Sequence, residues 1–322
     1  MPNTTSNGST PVKKKTADPR TKTRATLGQW ISAARLRTLA LALAPVAFGT
    51  GVASIYQSRI WLNAGLALAV ALFLQIGVNY ANDYSDGIRG TDNNRVGPFR
   101  LTASGLVNAK YVRNTAYFFF ALGAGAGLAL ALLSNQPWLI AVGAVAILAA
   151  WFYTGGKRPY GYSGLGEVVS FLFFGPVAVF GTAYVQVVTI FDDPLIGSVA
   201  LAGSVAIGSL AAAVLLANNL RDIDTDGPVG KRTISVRFGR LASKAIFTVL
   251  VLVSMAALVT LLPMFPITVF AFAAYLLLLP AVLIVCTYSH PRELVLALKL
   301  TSFGALVWAA LASWGLHNFL LT

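Results

Sequence analysis

Apolar and polar positions along this chain alternate in blocks the length of a membrane span. Nine apolar runs, roughly 36–56, 62–82, 114–133, 138–154, 165–188, 195–218, 243–262, 266–286 and 299–320, recur with short breaks between them. Each is near the ~20 residues a helix needs to cross a bilayer, the fourth being the shortest. Helix is the assignment that lipid enforces. An open sheet leaves backbone groups unpaired there, and the runs lack the period-two alternation of a barrel strand. Pro45, Pro176 and Pro280 fall inside runs, where membrane helices tolerate them with a kink. The pattern predicts an all-α membrane protein of nine transmembrane helices over residues 36–322. Residues 1–35 are polar and basic, with no apolar segment at signal-peptide spacing, and are expected to form a disordered tail.

Composition sharpens this picture. Of 322 residues 57% are hydrophobic and 11% charged, with a mean hydropathy of +0.72. A soluble domain carries about a quarter charged residues, so soluble and disordered classes are excluded. Cys286 is the single cysteine, which rules out an intrachain disulfide and a cysteine metal site.

The net charge of +13 would suggest nucleic acid in a soluble protein. Here it reports topology, and no nucleic-acid partner is expected. Of the 24 Lys and Arg residues, all but Arg59 fall in the tail or in the loops after spans two, four, six and eight. By the positive-inside rule that face is cytoplasmic and the C-terminus lies outside, in the cell membrane. The long loops 83–113 and 219–242 cap the same face, and loops of that length are usually functional.

Acidic residues are scarce, so their placement is informative. Of 11, six lie in those two loops: Asp83, Asp86, Asp92, Asp222, Asp224 and Asp226. The first cluster includes Gln75, Asn79, Asn82, Asp83, Asp86 and Asp92. If the second span continues as helix, Asn79, Asn82 (or Asp83) and Asp86 share a face. The second cluster reads Asn218-Asn219-Leu220-Arg221-Asp222-Ile223-Asp224-Thr225-Asp226, with Asp222 and Asp226 on one face and Asp224 turned away. Oxygen-rich clusters at two helix ends suit Mg²⁺, which takes one or two carboxylates, keeps waters and is completed by substrate phosphates. Arg95, Arg100, Lys157, Arg158, Arg221, Lys231 and Arg232 surround them, offering bidentate or point charges to phosphate. Glu167 opens the fifth span, Asp192 and Asp193 read as loop and cap residues, and His290 and His317 lie on opposite faces. Trp61, Trp138 and Trp314 read as interface anchors.

The two clusters together resemble the motifs of the UbiA superfamily of intramembrane prenyltransferases. Within it the chain is most similar to the 1,4-dihydroxy-2-naphthoate polyprenyltransferases of menaquinone synthesis. The similarity is carried by residues 34–50, 75–105, 153–176 and 218–240. The sequence departs from the general motif at Gly90, where an Asp is expected; Asp92 follows two residues later, as in the variant NDYxDxxxGxD. The resemblance implies a nine-helix UbiA-type bundle around a central cavity, capped by the cytoplasmic loops. Polyprenyl diphosphate would place its head on Mg²⁺ and its tail along an apolar tunnel open to membrane lipid. Asn82, Asp86, Asp222 and Asp226 would hold the metal, with Asp83 as a reserve ligand, and Arg100, Lys157, Arg158, Arg221 and Lys231 would neutralise the leaving diphosphate. The 1,4-dihydroxy-2-naphthoate acceptor would lose CO₂ on prenylation, giving demethylmenaquinone. Tyr80, Tyr84, Tyr153 and Tyr160 are candidates for ring contact or cation shielding. Two alternatives remain at this stage: another aromatic acceptor, or a cation transporter, against which stands the lack of any charged residue near a span centre.

Overall fold

A computed structural model describes residues 25–91 and 99–319, the side chain of Phe191 set aside. Among the described residues all regular structure is helical. Thr26 opens α1 (Leu27–Ala33) with a capping box, its hydroxyl accepting from Gln29 N while the Gln29 side chain accepts from Thr26 N. Ordered structure therefore begins inside the stretch 1–35 expected to be a disordered tail. That boundary is corrected: the cap, and bonds from α1 to the third helix described below, hold these residues in place. Residues 1–24, with the basic run of the tail, lie outside the described residues.

After α1 the chain turns at Arg35 (φ 55°) and a short 3-10 turn, Leu36–Thr38, meeting α2 (Ala40–Ser54) at 45°. α3 (Trp61–Arg89) continues well past its apolar run and stops at Gly90, whose φ of 75° suits glycine. α4 (Ala109–Leu133) starts on an Asn108 cap, and α5 (Leu139–Phe152) follows. α6 (Gly166–Leu172) passes through a π turn, Phe173–Val177, into α7 (Ala178–Tyr184). Pro176 lies in that π turn, where its missing N–H breaks the regular ladder. α8 (Pro194–Arg221) begins on an Asp193 cap and leads to the short α9 (Ile223–Asp226). α10 (Ile234–Leu261) is interrupted at Gly239, φ 80°. A 3-10 segment, Pro266–Ala274, joins α11 (Tyr275–Thr287), and α12 (Glu293–His317) closes the bundle.

Among the described residues seven helical segments are long and apolar enough to cross a membrane, and the bent α1–α2 pair, taken as one span, makes an eighth. The predicted fourth span is α5, only 14 residues, about 21 Å at 1.5 Å per residue against a hydrocarbon core near 30 Å. Length alone thus accounts for seven or eight of the nine predicted spans and leaves α5 as the short case.

Packing is uneven, and that unevenness makes the site. α8 is the central helix, 78% of its apolar window being buried. It packs with α2, α10 and α12 around Phe48, Ile207, Leu210, Phe247 and Trp308, all fully buried. Close approach to α6 and α7 depends on glycine: a Cβ on Gly175 would stand 2.4 Å from the Ser204 carbonyl, and one on Gly208 2.8 Å from that of Phe171. On the other flank α5 has no buried residue. The space left between α2, α3, α4, α5 and the α6–α7 pair is a cavity of about 370 Å³.

Candidate active site

The cavity is polar at one end and apolar elsewhere. Its α3 wall shows helical periodicity: Ala67, Val70, Ala71, Leu74, Gln75, Val78, Asn79, Asn82 and Asp86. Asn82 and Asp86 thus stand at the mouth because α3 keeps its register beyond the membrane edge. They are joined there by Arg35, Arg100, Asn218 and Lys231, and by the rings of Tyr153 and Tyr160.

Each carboxylate has a defined partner. Asp86 Oδ1 accepts from the Tyr162 hydroxyl at 2.9 Å, and Asn82 Oδ1 from Thr154 Oγ1 at 2.8 Å. Asp222 is gripped by the adjacent Arg221, Nε to Oδ1 at 2.8 Å and Nη2 to Oδ2 at 2.7 Å, while the same Nη2 reaches Asn218 Oδ1 at 2.8 Å. Asp226 faces Lys231 Nζ at 3.2 Å. All of these acidic and basic side chains are buried, so each cation does electrostatic work that water would otherwise screen. Asp224 is different. It is exposed and paired with exposed Arg240, in keeping with its position off the shared face.

Three of the expected site residues, Asp83, Lys157 and Arg158, stand apart from the cavity wall. Asp83 is buried, and its two oxygens accept the backbone N–H groups of Leu101 and Thr102 at 2.9 Å each. Asp83, expected as a reserve metal ligand, does not line the cavity. Its engagement fastens the loop carrying Arg100 onto α3. Gly87 completes the seat, since a Cβ there would meet the Thr102 side chain at 2.4 Å. Lys157 and Arg158 are exposed and do not line the cavity. Asp92 and Arg95 lie outside the described residues. Of the four tyrosines singled out, Tyr153 and Tyr160 line the cavity. Tyr80 is buried, with its hydroxyl on the Trp30 carbonyl, and Tyr84 stacks on Trp151.

Sequence reasoning passed over Tyr162. Besides donating to Asp86, its ring lies beneath Lys231 Nζ at 5.6 Å and beneath the Arg89 guanidinium at 5.3 Å. It therefore ties the first acidic cluster to the second. Burial, then the Asp86 charge, pushes its phenol above the ordinary tyrosine value, so it remains a donor at neutral pH. Glu167 was noted without a role. It is buried on α6 and accepts from Asn219 Nδ2 at 2.8 Å, coupling α6 to the end of α8.

The oxygens at the mouth are hard donors of the type Mg²⁺ selects. Among the described residues no three Asp, Glu, His or Cys side chains converge on one point. A carboxylate, amide oxygens and substrate phosphate form a set that fits magnesium; they would not suit a metal needing an all-protein cage.

This geometry defines an integral membrane protein built to receive an amphiphile with an anionic head and a long apolar tail. Residues 42–303 match the UbiA prenyltransferase family, and the chain belongs to it. It is 50% identical over 285 residues to the 1,4-dihydroxy-2-naphthoate octaprenyltransferase of Mycobacterium tuberculosis, covering 88% of this chain and 95% of that relative. The enzyme of the same name from Escherichia coli is 36% identical, covering 71% and 74%. Among solved structures, a UbiA homologue from Archaeoglobus fulgidus bound to GPP and Mg²⁺ superposes with a TM-score of 0.62 at 15% identity, covering 88% of this chain and 99% of that one. At that identity the likeness is one of fold.

Proposed function

We propose that this chain transfers a polyprenyl group from polyprenyl diphosphate to 1,4-dihydroxy-2-naphthoate, releasing diphosphate and CO₂, in menaquinone synthesis. The observation that carries the reading is the two-ended cavity, with Asn82, Asp86, Arg100 and Lys231 at its mouth and an apolar interior, in a chain with close naphthoate-prenylating relatives.

Each residue then has a task. Asn82 and Asp86 of the first cluster, with Asp222 and Asp226 of the second, are the residues that would hold Mg²⁺ together with the substrate phosphates rather than as one all-protein cage. The metal would draw charge from the diphosphate and ease its departure. Arg100, Lys231 and Arg221 stabilise the charge that grows on the diphosphate as the allylic C–O bond breaks. Exposed Lys157 and Arg158 attract the anion toward the mouth. Tyr153, Tyr160 and the apolar walls shelter the allylic cation from water. The naphthoate ring supplies the electron pair for the new C–C bond at the carbon bearing its carboxylate. CO₂ then leaves its bonding pair to the ring, giving demethylmenaquinone in its reduced form. The active site and N-terminus face the cytoplasm of the cell membrane, on the side of the Lys and Arg excess.

The test is to incubate the purified chain with a polyprenyl diphosphate, 1,4-dihydroxy-2-naphthoate and Mg²⁺, with and without EDTA, and to weigh the products. An EDTA-sensitive adduct lighter by CO₂ than simple prenylation is expected. An adduct formed only with a different aromatic acceptor would overturn the substrate, and no adduct from folded protein would overturn the reaction.

A further inference from the structure

The apolar end of the cavity carries three glycines that close packing does not explain. Gly127 on α4, Gly143 on α5 and Gly181 on α7 all line it. A Cβ built on Gly143 or Gly181 meets nothing within 4 Å, and one on Gly127 meets only a Val70 methyl at 3.7 Å. At several other helical positions that face a neighbour, glycine has an evident steric reason, whereas Gly65 and Gly125, also open at their Cβ, lie outside the cavity. A Cβ would come within 2.7 Å of a neighbour at Gly49, 2.6 Å at Gly77 and 1.9 Å at Gly203. Glycine inside a helix is disfavoured against alanine. At these three positions its effect is to keep space open, from three helices at once, on the flank where α5 buries no residue.

Their depth can be measured along α3. Gly127 lies level with Val70, sixteen residues before Asp86, or about 24 Å at 1.5 Å per residue. A prenyl unit contributes four backbone bonds; at the ~1.2 Å of reach per bond of an extended chain it spans roughly 5 Å. A chain with its head at Asp86 therefore reaches the glycines with about its fifth unit. The cavity itself stops near Ala67, Leu130, Leu139 and Val185, about 28 Å from Asp86. A tail longer than that finds no further room along α3 within the cavity.

We propose that Gly127, Gly143 and Gly181 form the aperture through which the end of a long prenyl chain passes toward lipid, and so set the donor lengths this enzyme accepts. The inference rests on the prenyl-transfer reading above. It predicts that filling the aperture penalises only donors of more than about five units.

The experiment compares octaprenyl and geranyl diphosphate as donors to 1,4-dihydroxy-2-naphthoate, using full-length protein in lipid nanodiscs. The variants are Gly127→Leu, Gly143→Leu and Gly181→Leu, made singly. Each should lower the octaprenyl-to-geranyl ratio of kcat/KM by about tenfold or more, since several buried methylenes lose their place. Gly125→Leu is the control: Gly125 is on α4, outside the cavity, with open space at its Cβ, and its ratio should stay at the wild-type value. Geranyl transfer reports folding in every variant. A ratio within twofold of wild type in all three folded variants would overturn the aperture, as would equal loss of both donors in all three. A wild-type chain that transfers neither donor would overturn the reaction itself, an outcome distinct from the other two.

Discussion

Asp83 and Asp86 are three residues apart on one helix, yet their surroundings divide their work. Asp86 faces the cavity with a single hydroxyl partner, Tyr162. Asp83 spends both oxygens on backbone N–H groups of the Arg100 loop. The two should respond oppositely to neutralisation. Asp86→Asn is expected to abolish transfer and leave the melting temperature in detergent near wild type. Asp83→Asn replaces two charge-assisted acceptors with one neutral one, and is expected to cost about 1.5–3 kcal/mol of stability. It should lower activity only as far as the loop loosens. Parallel thermal-shift and turnover assays check both; a stable, inactive Asp83→Asn would return that residue to the metal set. Tyr162→Phe removes the link between the clusters, and transfer at neutral pH should fall by about tenfold, the scale of one lost hydrogen bond to a charged group. Because the Tyr162 phenol is raised above its ordinary value, its contribution is complete below pH ~10 and declines only above it. A pH–rate profile of the wild type should therefore show no loss from this group between neutrality and that limit.

At the scale of elements, α1 is a small helix whose cost of removal follows from its bonds. Asn79 Nδ2 donates to the Ala34 carbonyl and the Tyr80 hydroxyl to that of Trp30, both at 2.8 Å and both from the buried end of α3. A chain starting at residue 25 should keep its transfer rate. A chain starting at residue 36 leaves both α3 groups unsatisfied, at about 1–3 kcal/mol each, beside the residues that hold the head group. It should melt earlier and lose most activity. Equal melting temperatures for the two truncations would show that α1 is dispensable. These bonds also mark where the sequence stops being readable. The apolar runs were legible because lipid permits little besides helix, and the Asn–Asp clusters because charge is rare here. The role of Asp83 was hidden because its partners are backbone amides eighteen and nineteen residues away, which leave no side-chain signature. Tyr162 was hidden for a related reason. Its meaning comes from lying between Asp86 and Lys231, a convergence that three separate elements create. The start of order at Thr26 had a local signal, Thr26 with Gln29 three residues on, outweighed by the polar composition around it.

The whole molecule turns on whether α5 crosses the membrane, since one crossing changes the parity of the topology. Its 14 residues fall short of the usual length, but its ends are fixed at opposite ends of the bundle. Just before it, Gln136 accepts from the hydroxyl of Tyr184, the last residue of α7. At that same end Asn63, near the start of α3, donates to the Val185 carbonyl. Just after it, Thr154 donates to Asn82, and Arg89 reaches the Thr154 and Gly156 carbonyls, all at the far end of α3. A helix running between those levels traverses the bundle, and a short span is accommodated by local thinning of the bilayer at modest cost. The glycine aperture lies on this same flank, where thinning would bring lipid closest to the cavity. Counting α5 would bring the crossings among the described residues to nine, and the prediction is then that the two ends of the chain report from opposite faces. Reporter domains fused after Thr322 decide this: alkaline phosphatase should be active and a cytoplasm-dependent fluorescent protein dark, while the same pair placed at residue 1 should give the reverse. Both termini reporting from one side would mean that α5 does not cross, and that the Lys and Arg asymmetry along the second half of the chain has been assigned to the wrong face.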